Sequence, residues 1–186
     1  IAGATGTGKT KTLQVLAEQL SENGVPVVLM DIKGDLSGLA KSSPGHPKID
    51  ERHKNIGLPF EPKKFPVEFF SISEQNGVRL RATISEFGPV LISRILNLTE
   101  TQSGIVAVIF KYCDDHQLPL LDLKDFKAML NFATSEGKEK FQGEYGRISK
   151  TSTGAILRRV VALEQQGAEL FFGEESFEVK DFARTT

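Results

Sequence analysis

The chain has 186 residues and a mass of 20.4 kDa, room for one domain of ordinary size or one core with a small insert, so two large domains are excluded. Hydrophobic residues at 39 % and charged residues at 25 % match the usage of folded soluble proteins and exclude wholesale disorder. Lys plus Arg number 23 against 24 for Asp plus Glu, a net charge of -1, which excludes a general basic field and leaves only a local strip for any polyanion.

At the start of the chain, Gly3-Ala4-Thr5-Gly6-Thr7-Gly8-Lys9-Thr10 fits G-x-x-x-x-G-K-[ST], the phosphate-binding P-loop. Residues 10–21 place Leu13, Leu16, Ala17 and Leu20 on one helical stripe, Gly24 supplies the stop, and Val25 to Ile32 reads as a buried strand. A P-loop turns sharply at the carboxyl end of a strand, and only Ile1 and Ala2 stand before this one, so the natural protein is expected to extend upstream. Glycines 3, 6 and 8 permit close backbone approach, letting the amides of Gly6 to Thr10 converge on a β-phosphate at a helix start. Lys9 is placed to reach the β- and γ-phosphate oxygens, and the Thr10 hydroxyl to take one position on Mg²⁺. Thr5, Thr7 and Lys11 complete the nucleotide-contacting set.

The apolar run Val27 to Met30 leads into Asp31, which invites a Walker B reading in which the acid holds Mg²⁺ through water. The strand after the first helix is usually not the neighbour of the P-loop strand, and no Glu follows Asp31. Two other roles therefore stay open: ordering the nucleotide pocket with Lys33 and Asp35, or a solvated turn. Residues 41–66 hold five of the eight prolines around one helical candidate, Lys48 to Ile56, closed by Gly57. Val67 to Ile72 and Val78 to Ile84 flank a connection from Ser73 to Gly77 that ends in Asn-Gly, the signal of a hairpin. Arg79 and Arg81 share a face of its second strand.

From Pro89 the pattern is helical. Pro89 starts a helix to about Asn97; Thr99 and Gln102 form a capping box before the apolar Ile105 to Cys113; Asp122 caps Leu123 to Ala133; and Thr151 to Gln166 ends at Gly167. The run Ile105 to Phe110 falls far short of the roughly 18 apolar residues of a membrane span, and with no charged-then-apolar leader the chain reads as cytoplasmic. Cys113, the one cysteine, reads as a buried structural thiol, and His46, His53 and His116 as surface or capping residues. Leu118 to Asp122 imitates a Walker B strand, but the apolar spacing of Leu123, Phe126 and Leu130 makes Asp122 a cap. Arg147, Lys150, Arg158 and Arg159 form the densest basic stretch, open to three readings: a solvated helix face, a DNA phosphate contact, or an arginine supplied to a neighbouring subunit's nucleotide.

The runs Ile1 to Glu18 and Asp31 to Gly38, with Arg81 to Pro89, Leu121 to Leu130 and Phe171 to Glu174, resemble the bacterial HerA/FtsK-like ATPases of the YjgR type over nearly the whole chain, specifically the N-terminal part of the ATPase domain. The resemblance implies an ATP-dependent motor of the DNA-translocase or helicase-like class, working as a hexameric ring on ATP and Mg²⁺, with DNA as partner. Gly3, Gly6, Gly8, Lys9 and Thr10 match the family's P-loop. It also implies an acidic Walker B strand beyond Thr186, so the chain is expected to bind phosphate groups better than it cleaves them.

The expected fold class is α/β: an incomplete P-loop NTPase core of the RecA/FtsK-like kind at residues 1–40, a Pro-rich excursion and β-hairpin at 41–88, and a mainly helical inserted subdomain at 89–186. Two other functions remain open, a small-molecule P-loop kinase and a nucleotide-binding protein-interaction module without motor activity.

Overall fold

The computed structural model describes residues 1–73 and 75–183. Glu74, inside the expected hairpin connection, and residues 184–186, at the end of the expected helical subdomain, lie outside the described residues. The chain separates into two compact units, one of residues 1–68 with the stretch from Glu178 onward, the other Phe69–Phe177. Helices dominate, and the strands among the described residues are two dipeptides.

In the first unit, α1 (Lys9–Glu22) follows the glycine-rich segment, Ser37–Ala40 forms a 3₁₀ turn, and α2 spans Pro47–Ile56. Helix α2 forms where its caps dictate. His46 Nδ1 accepts the Lys48 amide at 3.1 Å, Pro47 occupies a first-turn position that needs no amide, and Gly57 closes the helix at φ 67°. The strand expected at Val25 to Ile32 is absent: residues 25–31 are irregular, Met30 is 93 % exposed and Ile32 fully so. A parallel strand needs a hydrogen-bonding neighbour and a cover on each face, and among the described residues nothing pairs with this segment. The same shortage of cover shows on α1, where Leu13, Leu16 and Leu20 of the apolar stripe stay exposed while Gln14 and Ala17 are buried. The sheet of an α/β core is therefore not seen among the described residues.

The second unit opens with β1 (Phe70–Ser71) and β2 (Val78–Arg79), which pair in parallel with Phe70 opposite Val78. The expected antiparallel hairpin is thus corrected. The Ser71 hydroxyl accepts the Ser73 amide and donates to the Ser73 carbonyl, both at 3.1 Å, turning the chain sharply off the strand. The connection then returns to the beginning of β1 rather than its end, and the Val78 amide donates to Phe69 O at 2.7 Å. Gly77, at φ 142°, is needed for that return, because a Cβ there would stand 2.7 Å from the same carbonyl oxygen.

Helices α3 (Ile84–Ile95), α4 (Glu100–Asp115), α5 (Leu123–Thr134), α6 (Lys138–Glu144) and α7 (Lys150–Glu164) complete the unit. Capping boxes start three of them, from Thr83 with Glu86, Thr99 with Gln102, and Asp122 with Asp125. Helix α3 begins one turn before Pro89 and breaks at Gly88, where φ is 68° and ψ 170°, so Pro89 starts its second segment. Their apolar faces meet in one core in which Ile84, Val106, Ile109, Phe126, Leu130, Phe141, Ile156 and Val160 are fully buried. Each such side chain contributes about 1.5–3 kcal/mol relative to exposure. Tyr112 stacks on Phe141 with ring centroids 4.3 Å apart and on His116 at 4.0 Å. Cys113 lies inside this core, and burial, reinforced by the Asp114 and Asp125 carboxylates, raises its thiol pKa to about 11, as befits a structural residue.

Candidate functional site

The segment Gly3 to Thr10 in the first unit is shaped by its glycines. Gly6 and Gly8 both take left-handed backbone, at φ 84° and 88°, and Gly8 stands immediately before α1. Only glycine enters that region without a Cβ penalty, and the loop needs it there to swing its amides toward the helix axis. The Thr7 hydroxyl donates to Ala4 O at 2.8 Å and closes the first half of the loop. Lys9 folds back across it, Nζ donating to Gly3 O at 2.8 Å and to Ala4 O at 2.7 Å. Lys9 and Thr10 occupy the first turn of α1, which carries no acid and whose N-cap offers no side-chain oxygen. The first amides of α1 thus follow a left-handed glycine and lack a side-chain cap, while the lysine ammonium rests on the Gly3 and Ala4 carbonyls, and such a helix start attracts an anion.

Asp31 lies in the same unit and serves a different purpose. Its Oδ1 accepts the amides of Gly34 at 2.8 Å and Lys33 at 3.3 Å, and its Oδ2 accepts the Leu36 amide at 2.8 Å. Of the three roles open for this residue, the geometry realises the turn. Gln14 carries this turn to α1: its Nε2 donates to Asp35 O at 3.0 Å and the residue is 8 % exposed. Sequence reasoning passed over Gln14, although an amide amid the apolar stripe of α1 is the signal that could have found it.

The Leu36 amide above all, then those of Gly34 and Lys33, holds the Asp31 carboxyl below its ordinary range. Its folded pKa is depressed, so the order it confers is present above the unfolded value and lost as pH falls through the folded one. Amide exchange at Gly34 and Leu36 is accordingly expected to accelerate as pH drops below the usual aspartate range, measured by NMR after correction for intrinsic exchange. Protection that persists after the carboxyl is protonated would dissociate Asp31 from the turn.

The segments that carry the resemblance in the second unit converge on one structural junction. The Ile84 and Ser85 amides donate to Leu121 O and Leu120 O at 3.2 and 2.9 Å, and the Leu120 amide returns to Ser85 Oγ at 2.8 Å. Ala82 pairs in parallel with Phe172, while Phe87 packs edge-on against both Phe171 and Phe172, at 5.5 and 5.3 Å. Arg81 lies across Gly173, where a Cβ would stand 2.2 Å from a guanidinium nitrogen. These motifs shape the helical unit. Arg147, Lys150, Arg158 and Arg159 also belong to it and are exposed. Among the described residues no three His, Cys, Asp or Glu side chains gather as a metal site, and no helix is long and apolar enough to cross a membrane.

A family model described as helicase HerA-like C-terminal matches residues 1–186. Searches of curated proteins and of solved structures found no match.

Proposed function

The chain belongs to the helicase HerA-like C-terminal family, and from that premise we propose that it is the ATP-binding part of a HerA/FtsK-like ATPase. The reading extends to a DNA translocase or helicase-like motor of the YjgR type, working as a hexameric ring, of which this chain forms the N-terminal part of the ATPase domain. The observation that carries it is the fold of Gly3 to Thr10. Left-handed Gly8 ends α1 in unshielded amides, and Lys9 Nζ is parked on two neutral carbonyl oxygens.

The residues present fit a nucleotide with its magnesium ion. The amides of Gly6 to Thr10 would hold phosphate oxygens, Lys9 would exchange its carbonyl acceptors for phosphate, and the Thr10 hydroxyl would take a metal position, with Gly3, Thr5, Thr7 and Lys11 around them. A bound ATP would supply a phosphoanhydride bond whose cleavage, with transfer of the γ-phosphoryl group, is governed by positioning and charge. This chain's own part is to orient the phosphates and place a cation against them. Asp31, engaged by three backbone amides, is assigned no metal role.

Calorimetric titration of the chain with ATP and Mg²⁺ is expected to show one saturable site, weakened by added inorganic phosphate. Absence of saturable binding tighter than about 1 mM, or -4.1 kcal/mol, would overturn the reading.

A further inference from the structure

The outer face of α7 is unlike an ordinary solvated helix. Between Glu144 and Glu164 the chain carries Arg147, Lys150, Arg158 and Arg159 and no acid at all. These four cations leave a charge of -5 for the rest of a chain whose net charge is -1. Thr153, Ile156 and Val160 face the core, so helical periodicity turns Lys150, Thr151, Gly154, Ala155, Arg158, Arg159 and Ala162 outward. A solvated face usually alternates acids and bases at i, i+4. Here the spaces between the cations hold small residues instead, and Arg158 reaches back to within 3.7 Å of where a Gly154 Cβ would stand. The four ion pairs among the described residues, Lys63 with Glu22, Lys111 with Asp115, Lys127 with Glu164 and Lys180 with Glu178, engage none of these cations.

We propose that this face of α7, with Arg147 just ahead of it, is a docking strip for the phosphodiester backbone of a nucleic acid. Three features fit that partner. Cations without competing acids supply the counterion-release term that dominates such binding. The small residues Gly154 and Ala155 put little bulk between the cations, and the Thr151 hydroxyl adds a donor for a phosphate oxygen. From Lys150 to Arg159 the helix rises about 14 Å, enough for two or three contacts along a strand. The strip reads no bases, so recognition is by charge and spacing. The choice of nucleic acid as the polyanion rests on the proposed DNA-acting motor; the charge asymmetry of α7 stands without it.

The test measures binding of the 186-residue chain to a fluorescent 30-nucleotide single strand and a 30-base-pair duplex, without nucleotide, over a salt series. Arg158→Ala with Arg159→Ala is expected to weaken binding about tenfold at low salt. It should also flatten the slope of log K against log salt by roughly 1.4 on the single strand or 1.8 on the duplex, about 0.7 and 0.9 per contact. The tighter binding of the unmodified chain at one fixed salt concentration identifies the preferred form. Arg158→Lys with Arg159→Lys is expected to keep the slope, which separates charge from packing. A chain that fails the ATP titration but keeps its salt-dependent oligonucleotide binding would lose the nucleotide reading alone. Unchanged slope and affinity in the double alanine variant, or wild-type binding weaker than about 0.1 mM, would overturn the proposal. Equally effective competition by polyglutamate of matched charge would overturn it in favour of an acidic protein partner.

Discussion

Phe126→Ala is expected to destabilise the helical unit by about 3–5 kcal/mol. The ring is fully buried in the first turn of α5, a helix that packs against α4, α6 and α7. Its centroid lies 6.1 Å from that of Phe110 on α4. Truncation removes the transfer free energy of the ring and leaves a cavity that three surrounding helices, each anchored by other buried side chains, close only in part. The loss should appear in urea unfolding as a lower midpoint with an unchanged slope, because the folded and unfolded surfaces are otherwise the same. Val161→Ala, on the exposed side of α7, provides the contrast, with an effect within about 0.5 kcal/mol. A loss of less than about 1 kcal/mol at Phe126 would mean that the core does not depend on α5 as its packing indicates.

The parts of the molecule legible in the sequence are those decided within a few residues. Capping boxes at Thr99 and Asp122, the glycine closing α2, and the left-handed turns at Gly6 and Gly8 act through local backbone geometry, and each stands where its residues indicate. The box at Thr83 with Glu86 has the same form, but Pro89 is the stronger local punctuator and masks the first turn of α3 in the sequence pattern. Helix α6 is short and charged. Phe141, its one fully buried anchor, stacks on Tyr112 of α4, a contact far away in sequence. Strands failed for a related reason. The apolar run from Val25 expresses a capacity for burial, but whether a strand forms depends on partners that periodicity does not specify. At β1 and β2 the Asn-Gly signal specified a turn, while Ser71 and the path back to Phe69 set the strand direction. Gln14 marks the same boundary within the site: its hydrogen bond to Asp35 O joins elements 21 residues apart, beyond the reach of any local pattern.

Lys9→Ala is expected to weaken ATP binding by at least tenfold, about 1.4 kcal/mol. Two effects act in the same direction. The ammonium donates to Gly3 O and Ala4 O at 2.8 and 2.7 Å, and phosphate oxygens offer charged acceptors in their place. The ammonium assists both sets of bonds, but only phosphate adds an opposite charge, and that Coulomb attraction favours the bound state. Because the site is open to water, screening limits this gain, which places the expectation nearer one order of magnitude than several. The second effect is on the loop itself. Without Nζ, the two carbonyls lose a common donor and Thr7 alone ties the first half of the loop to Ala4, so the amides arrive less ordered and binding must supply that order. Lys9→Arg separates the contributions, keeping the charge while changing its shape and reach. Affinity restored by arginine would assign the effect to charge, and affinity lost in both variants would assign it to the placement of the ammonium across the loop. A folded Lys9→Ala chain that binds ATP as tightly as the parent by calorimetry would remove the P-loop from the site.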